Sequence, residues 1–346
     1  MNTRSAAALP APDVVTRGEP GTAPLAGAGP DQQAAAATAA CPVTRGHPGS
    51  PAKGQPAHAD MGDAALPGAA GADPSGRSSR QIALLGAAGQ RRMTDASVAL
   101  IGLDGLGSHL AQQLAYLGVR QYTLLDGDTV DNSSLNRLIG ATGDDVGVPK
   151  ADVAARLIRC IQPAADVRVA AEPVPLALLG GGAAIGSATA VMAGLGEDED
   201  TVRFILTELC SIAGVPYIDV ASNVRRADGG MVYGGRVVVA GAEAGCLFCR
   251  GELDRRADRA TSPREPQAGA TSHGPRGASV TIDGVVASLA ATEISCLITG
   301  LRPPCGMLTY RAHEGIVTRS GDQPARHCPY CDRWAASRRH LIPDDG

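Results

Sequence analysis

A doubly wound, Rossmann-like α/β sheet is the fold class this chain predicts, parallel in its first part and extended by antiparallel strands toward the C-terminus. Three observations predict it. From about residue 80 onward, short apolar runs alternate with helical patterns, as strands joined by crossover helices do. The run "VALIGLDGLGSHLAQQLAYLGV" places a glycine-rich turn between the first strand and its helix, where such sheets hold phosphates. Two Cys-x-x-Cys pairs late in the chain add a structural zinc site.

Each element follows from its residues. Residues 1–79 are rich in Ala, Gly, Pro and Asp and have no apolar periodicity. They cannot bury enough surface to offset chain entropy, so a disordered leader is expected, with a start at Met61 or later as the alternative. "SVALIG" is the first strand. "SHLAQQLAYLG" is a helix with Leu110, Leu114 and Leu117 at helical spacing and Gly118 as its stop. "RQYTLLDGD" is a strand ending in acids, "KADVAARLIRCI" a helix, and "DVRVAA" and "ATAVMAGL" are strands. "DTVRFILTELCSIAG" is a helix closed by Gly214, and "VPYIDVA" a strand. "GGMVYGGRVVVA" reads as a hairpin or as one edge of an antiparallel sheet. Residues 251–279, rich in Arg, Pro, Gly and Ser, are expected to be a long crossover loop. "IDGVVASLAATEISCLITG" is a helix, "MLTYRA" a strand, and residues 340–346 a tail.

Composition bounds the function. The chain has 346 residues, 44% hydrophobic and 19% charged, with a formal net charge of −4. That suits one or two globular domains and argues against nucleic acid as a partner. No uninterrupted run of eighteen apolar residues and no secretory n- and h-region are found, so a cytoplasmic protein without a membrane partner is expected. The nine cysteines, an odd number, suit a reducing compartment, where paired thiols point to a metal.

Four constellations carry chemistry. Gly102, Gly105 and Gly107 form the turn, and Asp126, nineteen residues after Gly107, can hold ribose hydroxyls. A close-packed glycine turn without ligand is the plainer reading of that pair alone. Downstream come Asp128, then Arg137 closing "SSLNR", then Lys150 closing "VGVPK". Two cations beyond the ribose carboxylate are unneeded by a nicotinamide cofactor and suit a triphosphate losing pyrophosphate. Glu197, Asp198, Glu199 and Asp200 crowd a strand end, where they serve either Mg²⁺ or the following helix dipole. Cys246 and Cys249 with Cys328 and Cys331 supply four thiolates, a closed structural zinc set. Cys41, Cys160, Cys210, Cys296 and Cys305 are read as core or loop thiols.

These stretches together resemble the ThiF/MoeB/HesA family, bacterial relatives of ubiquitin-activating enzymes. "SRQIALLGAAGQ", the glycine-turn run, "LLDGDTVDNSSLNR", "VGVPK", "DEDTVR" and both Cys pairs match in order from about Arg80 to Arg333. The resemblance assigns residues 80–339 to an adenylation domain. It implies ATP-dependent adenylylation of the C-terminal carboxylate of a small ubiquitin-like sulfur-carrier protein ending in Gly-Gly. By position it places the glycine turn, Asp126, Asp128 and Asn136 on the nucleotide, Arg137 and Lys150 on the phosphates, and Asp198 on Mg²⁺. It places Arg80 at the phosphates of a neighbouring subunit, so a homodimer is implied, and a sulfur donor or other nucleophile as acyl acceptor.

Three positions depart from the family pattern, each at the ATP or Mg²⁺ site. Asp104 replaces a glycine, Ser134 an asparagine, and Glu199 the asparagine after the metal-binding Asp. Asp104 either points into the site unpaired or is turned away onto a local Arg, and the second is favoured because the other phosphate-binding residues are present. Adenylation of a peptide or small carboxylate, and a non-catalytic carrier-binding scaffold, are the alternative functions.

Overall fold

The computed structural model describes residues 76–174, 178, 185–195, 199–227, 230–241, 245–253, 277–320 and 328–341. The expected leader up to residue 75, most of the loop at 251–279, and Asp198 lie outside them.

Eight strands form one sheet in the order β3-β2-β1-β4-β5-β6-β7-β8. β1 (Ser97–Ile101), β2 (Gln121–Leu125), β3 (Asp166–Ala170), β4 (Ala190–Gly194) and β5 (Tyr217–Ala227) pair in parallel. β6 (Gly230–Ala240), β7 (Met307–Arg311) and β8 (Ile316–Arg319) continue it antiparallel. The order of strands reverses between β1 and β4, which remain parallel, and this is the switch point at which such sheets open a crevice.

Both faces are covered. On one lie α1 (Ser79–Asp95), α2 (Gly105–Leu117), α3 (Lys150–Ile161) and α5 (Val280–Thr299), around a core including Leu100, Leu110, Leu114, Ile158, Val237 and Ile294. On the other, α4 (Asp200–Ala213) packs through Val202, Leu206 and Cys210 against Ile101, Val191 and Tyr217. α2 shows why the local pattern works. Leu106, Leu110 and Leu114 repeat every four residues and all turn inward. Gly118 then takes the left-handed conformation at φ +99°, and its N–H caps the last turn.

The structure departs from the sequence reading in four places. "GGMVYGGRVVVA" is neither a hairpin nor an edge: β6 is one arm, paired along its length with β5 and covered on its other side by β7. α1 begins at Ser79, the last residue of the expected leader. α6 (Pro329–Leu341) runs into the expected tail. α5, with a mean hydropathy of 1.5 over its best window, is long and apolar enough to cross a membrane. Its buried residues instead pack within the core against α1, α2 and the sheet, since this central helix has neighbours on most sides.

Candidate functional site

The glycine turn sits at the end of β1. Gly102 takes φ +77°, and a Cβ there would stand 2.6 Å from the Gly194 carbonyl at the end of β4. A Cβ on Gly107 would fall 1.9 Å from the Gly102 carbonyl, so turn and helix close up only without side chains. Asp126 ties this turn to β2. Its Oδ2 accepts the Leu103 N–H at 2.5 Å and its Oδ1 the Asp128 N–H at 2.8 Å. Burial pushes its carboxyl upward, against the opposing effect of those two bonds and of Lys150.

Arg137 and Lys150 converge on the same turn, as expected. Their partners were not expected. Arg137 donates to Asp104 Oδ2 from Nη2 at 2.6 Å and from Nε at 3.1 Å. Lys150 Nζ lies 3.2 Å from Asp128 Oδ2 and 3.8 Å from Asp104 Oδ1. Asp104 is therefore paired, as favoured, yet with the site's own cations rather than turned away. Its geometry explains this: at the N-terminus of α2 its side chain caps no backbone N–H and remains available to the arginine. Asn136 is exposed, and its Oδ1 accepts from Arg137 Nη1 at 3.4 Å.

Two hydroxyls hold this loop. Ser134 Oγ and N–H both donate to Asp131 Oδ1, at 2.8 and 2.7 Å. With Ser133, they hold the Asp131 carboxyl down at about 2. Ser108 Oγ donates to the Gly105 carbonyl at 2.9 Å and accepts the Ile139 N–H at 3.0 Å, clasping the arginine loop to α2. The Ser134 departure is thus an intact turn.

Sequence reasoning missed Asp283, in the first turn of α5. It is buried, and its Oδ1 accepts from Ser222 Oγ at 2.6 Å. A Cβ on Gly105 would lie 2.1 Å from its Oδ2, so Asp283 fills the space that this glycine opens. Burial raises its carboxyl, and Asp104 raises it further. One signal was legible: an acid inside the apolar helix run "IDGVVASLAA".

Asp198 lies outside the described residues, but its neighbours do not. Asp200 pairs with Arg203 at 3.1 Å, and Arg203 forks onto Asp219 at 2.9 and 2.5 Å. Arg236 reaches Asp219 at 3.2 Å and also pairs with Glu252 just beyond the first Cys pair. Arg203 and Asp219 are buried, so neither charge could be left alone cheaply. Arg80 is not brought to the turn. It is exposed on α1, and its neighbour Gln81 bonds the Tyr116 carbonyl at the far end of α2, roughly 17 Å along that helix from Gly105.

The four cysteines do converge. Sγ distances are 3.6 Å for Cys246–Cys249, 3.7 Å for Cys246–Cys328 and 3.5 Å for Cys249–Cys331. Tetrahedral zinc thiolates would stand about 3.8 Å apart, so the set fits that ion. Both phenylalanines of the chain and its one tryptophan surround it. Phe248 stacks on Tyr330 at 4.0 Å, Phe204 meets both edge-on, and Trp334 Nε1 donates to Glu208 at 3.0 Å. Four of the chain's nine aromatics thus pack with the cysteines in a small core joining α6 to α4.

A cavity of about 280 Å³ opens over β5, β6 and β7, lined by Asn223, Val232, Arg236, Met307, Thr309 and Arg311 among others. Its β5 residues, Ala221 and Asn223, flank Ser222, which holds Asp283.

Comparison with known proteins defines the class. The ThiF family model matches residues 78–329, and the chain belongs to that family. Among its relatives, the sulfur carrier protein adenylyltransferase of Thermus thermophilus is 28% identical over 257 residues, covering 73% of this chain and 89% of that protein. The SAMP-activating enzyme E1 of Haloferax volcanii is 35% identical over 147 residues, 41% of this chain; the match spans about half, 52%, of that relative. A solved structure of E. coli MccB with ATP shares the fold at TM-score 0.58 and 19% identity, covering 74% of each chain.

Proposed function

We propose that this protein adenylates the C-terminal carboxylate of a small ubiquitin-like sulfur-carrier protein, using ATP and releasing pyrophosphate. The observation that carries this reading is the convergence of Arg137, Lys150 and the Asp126-tethered glycine turn at one strand end. A carboxylate attacking a phosphate must overcome repulsion between anions, so positioned cations and alignment supply the catalysis. Arg137 and Lys150 would neutralise the phosphates, the N-terminus of α2 would face them, and Asp126 would orient the ribose. The acids after β4, Asp198 first, would hold Mg²⁺, which supplies charge neutralisation of the polyphosphate. The four cysteines would hold zinc as a structural clip. The cavity over β5–β7 would receive the carrier's extended terminus.

Arg80 is exposed and its helix meets α2 at the end remote from the glycine turn, so a second copy of the chain is proposed to complete each site. Mass spectrometry of a Gly-Gly-ending carrier, after incubation with the protein and Mg²⁺-ATP, tests the reading. The carrier should gain one adenylyl group, and Lys150→Ala should abolish most of that product. A carrier of unchanged mass with the wild-type protein would overturn it.

A further inference from the structure

The ATP-binding reading leaves one arrangement unexplained: the phosphate cradle is already filled by the chain's own carboxylates. We propose that Asp104, backed by Asp283, makes nucleotide entry conditional on a divalent cation, admitting the metal-bound triphosphate and rejecting the free one. This rests on the adenylation reading and concerns the form of nucleotide that the site accepts.

The charges decide it. Arg137 is committed to Asp104 through two bonds at 2.6 and 3.1 Å. Lys150 lies between Asp128 at 3.2 Å and Asp104 at 3.8 Å. Two cations thus face two carboxylates, and the cradle holds no positive surplus for a polyanion. Asp283 then occupies the space over Gly105, where the lack of a side chain would otherwise let a phosphate approach the backbone. Its Ser222 bond holds it there. His109, on the neighbouring turn of α2, is held below its ordinary value by burial, against the opposing effect of Asp283.

An incoming triphosphate must take Arg137 from Asp104. The freed carboxylate then faces the phosphate oxygens at close range, a repulsion worth about a hundredfold in affinity for unit charges roughly 5 Å apart in partly screened surroundings. A divalent cation cancels two units of the nucleotide's charge and accepts carboxylate and phosphate oxygens together. With it, Asp104 changes from competitor to neighbour of a positive charge. The residue that departs from the family pattern becomes a selector rather than a defect.

Calorimetric titration of ATP, with Mg²⁺ and with EDTA, into wild type, Asp104→Asn and Asp104→Gly tests this. Wild type should bind at least about a hundredfold more tightly with Mg²⁺ than without. Both variants should bind the free nucleotide more tightly than wild type, cutting the Mg²⁺ ratio to about tenfold or less. The asparagine keeps the shape of the side chain, so a lowered ratio in that variant reports charge and not space. An equal Mg²⁺ ratio in all three proteins overturns the selector role and leaves the adenylation reading standing. Failure of all three to bind ATP under either condition overturns both.

Discussion

At the residue scale, the buried acid Asp219 carries the most. It accepts a fork from Arg203, a third bond from Arg236 and a fourth from Tyr217 Oη at 3.1 Å. Asp219→Asn leaves two guanidinium groups facing a neutral amide. We expect a loss of about 3–5 kcal/mol, the scale for breaking a buried pair from one side, read as a lower urea midpoint at unchanged slope. The convergence of Gly102, Asp126, Arg137 and Lys150 was legible because all four follow strand ends on one side of the sheet. Asp219 and Asp283 were not. An acid in a strand or in a first helical turn has ordinary local explanations, and only the fold shows that Ser222, Asp104 and Gly105 crowd around Asp283.

At the scale of elements, the connection from the arginine loop to α3 depends on Asp145. Its carboxylate takes Arg156 at 2.7 Å and closes a capping box with Thr142. These contacts, the Arg156 bond foremost, hold it at about 2, below the ordinary aspartate range. The folded-state value is depressed, so this acid stabilises the fold above the unfolded value and the contribution fades as pH falls toward the folded one. Asp145→Asn should therefore lower the urea midpoint at pH 7 and matter progressively less as the pH is lowered from about 4 to about 2. Helices and parallel strands were readable because apolar spacing alone sets their buried faces. The course of β6 was not, since Gly234 and Gly235 look like a turn. In the sheet they sit where a Cβ would strike the Tyr310 carbonyl and Val286, at 1.9 and 2.6 Å. The pair makes room for neighbours across the strand and does not reverse the chain.

At the scale of the whole molecule, the cysteine cluster ties the segment after β6 to the C-terminal helix, and Trp334 reports on it. About one zinc per chain is expected from chelator-free preparations, as one closed four-thiolate site requires. Chelation or Cys246→Ser should shift Trp334 emission to the red as its 2% exposed indole meets water, because metal-binding energy is also folding energy here. A preparation without zinc and with unchanged emission after chelation would show that the four thiols pack without a metal. Carrier-dependent exchange of pyrophosphate into ATP decides whether Arg137 and Lys150 form an adenylation site. Exchange should require the Gly-Gly carrier and fall by about two orders of magnitude or more in Lys150→Ala. Exchange as fast in Lys150→Ala as in wild type, or none with any carrier, would contradict it.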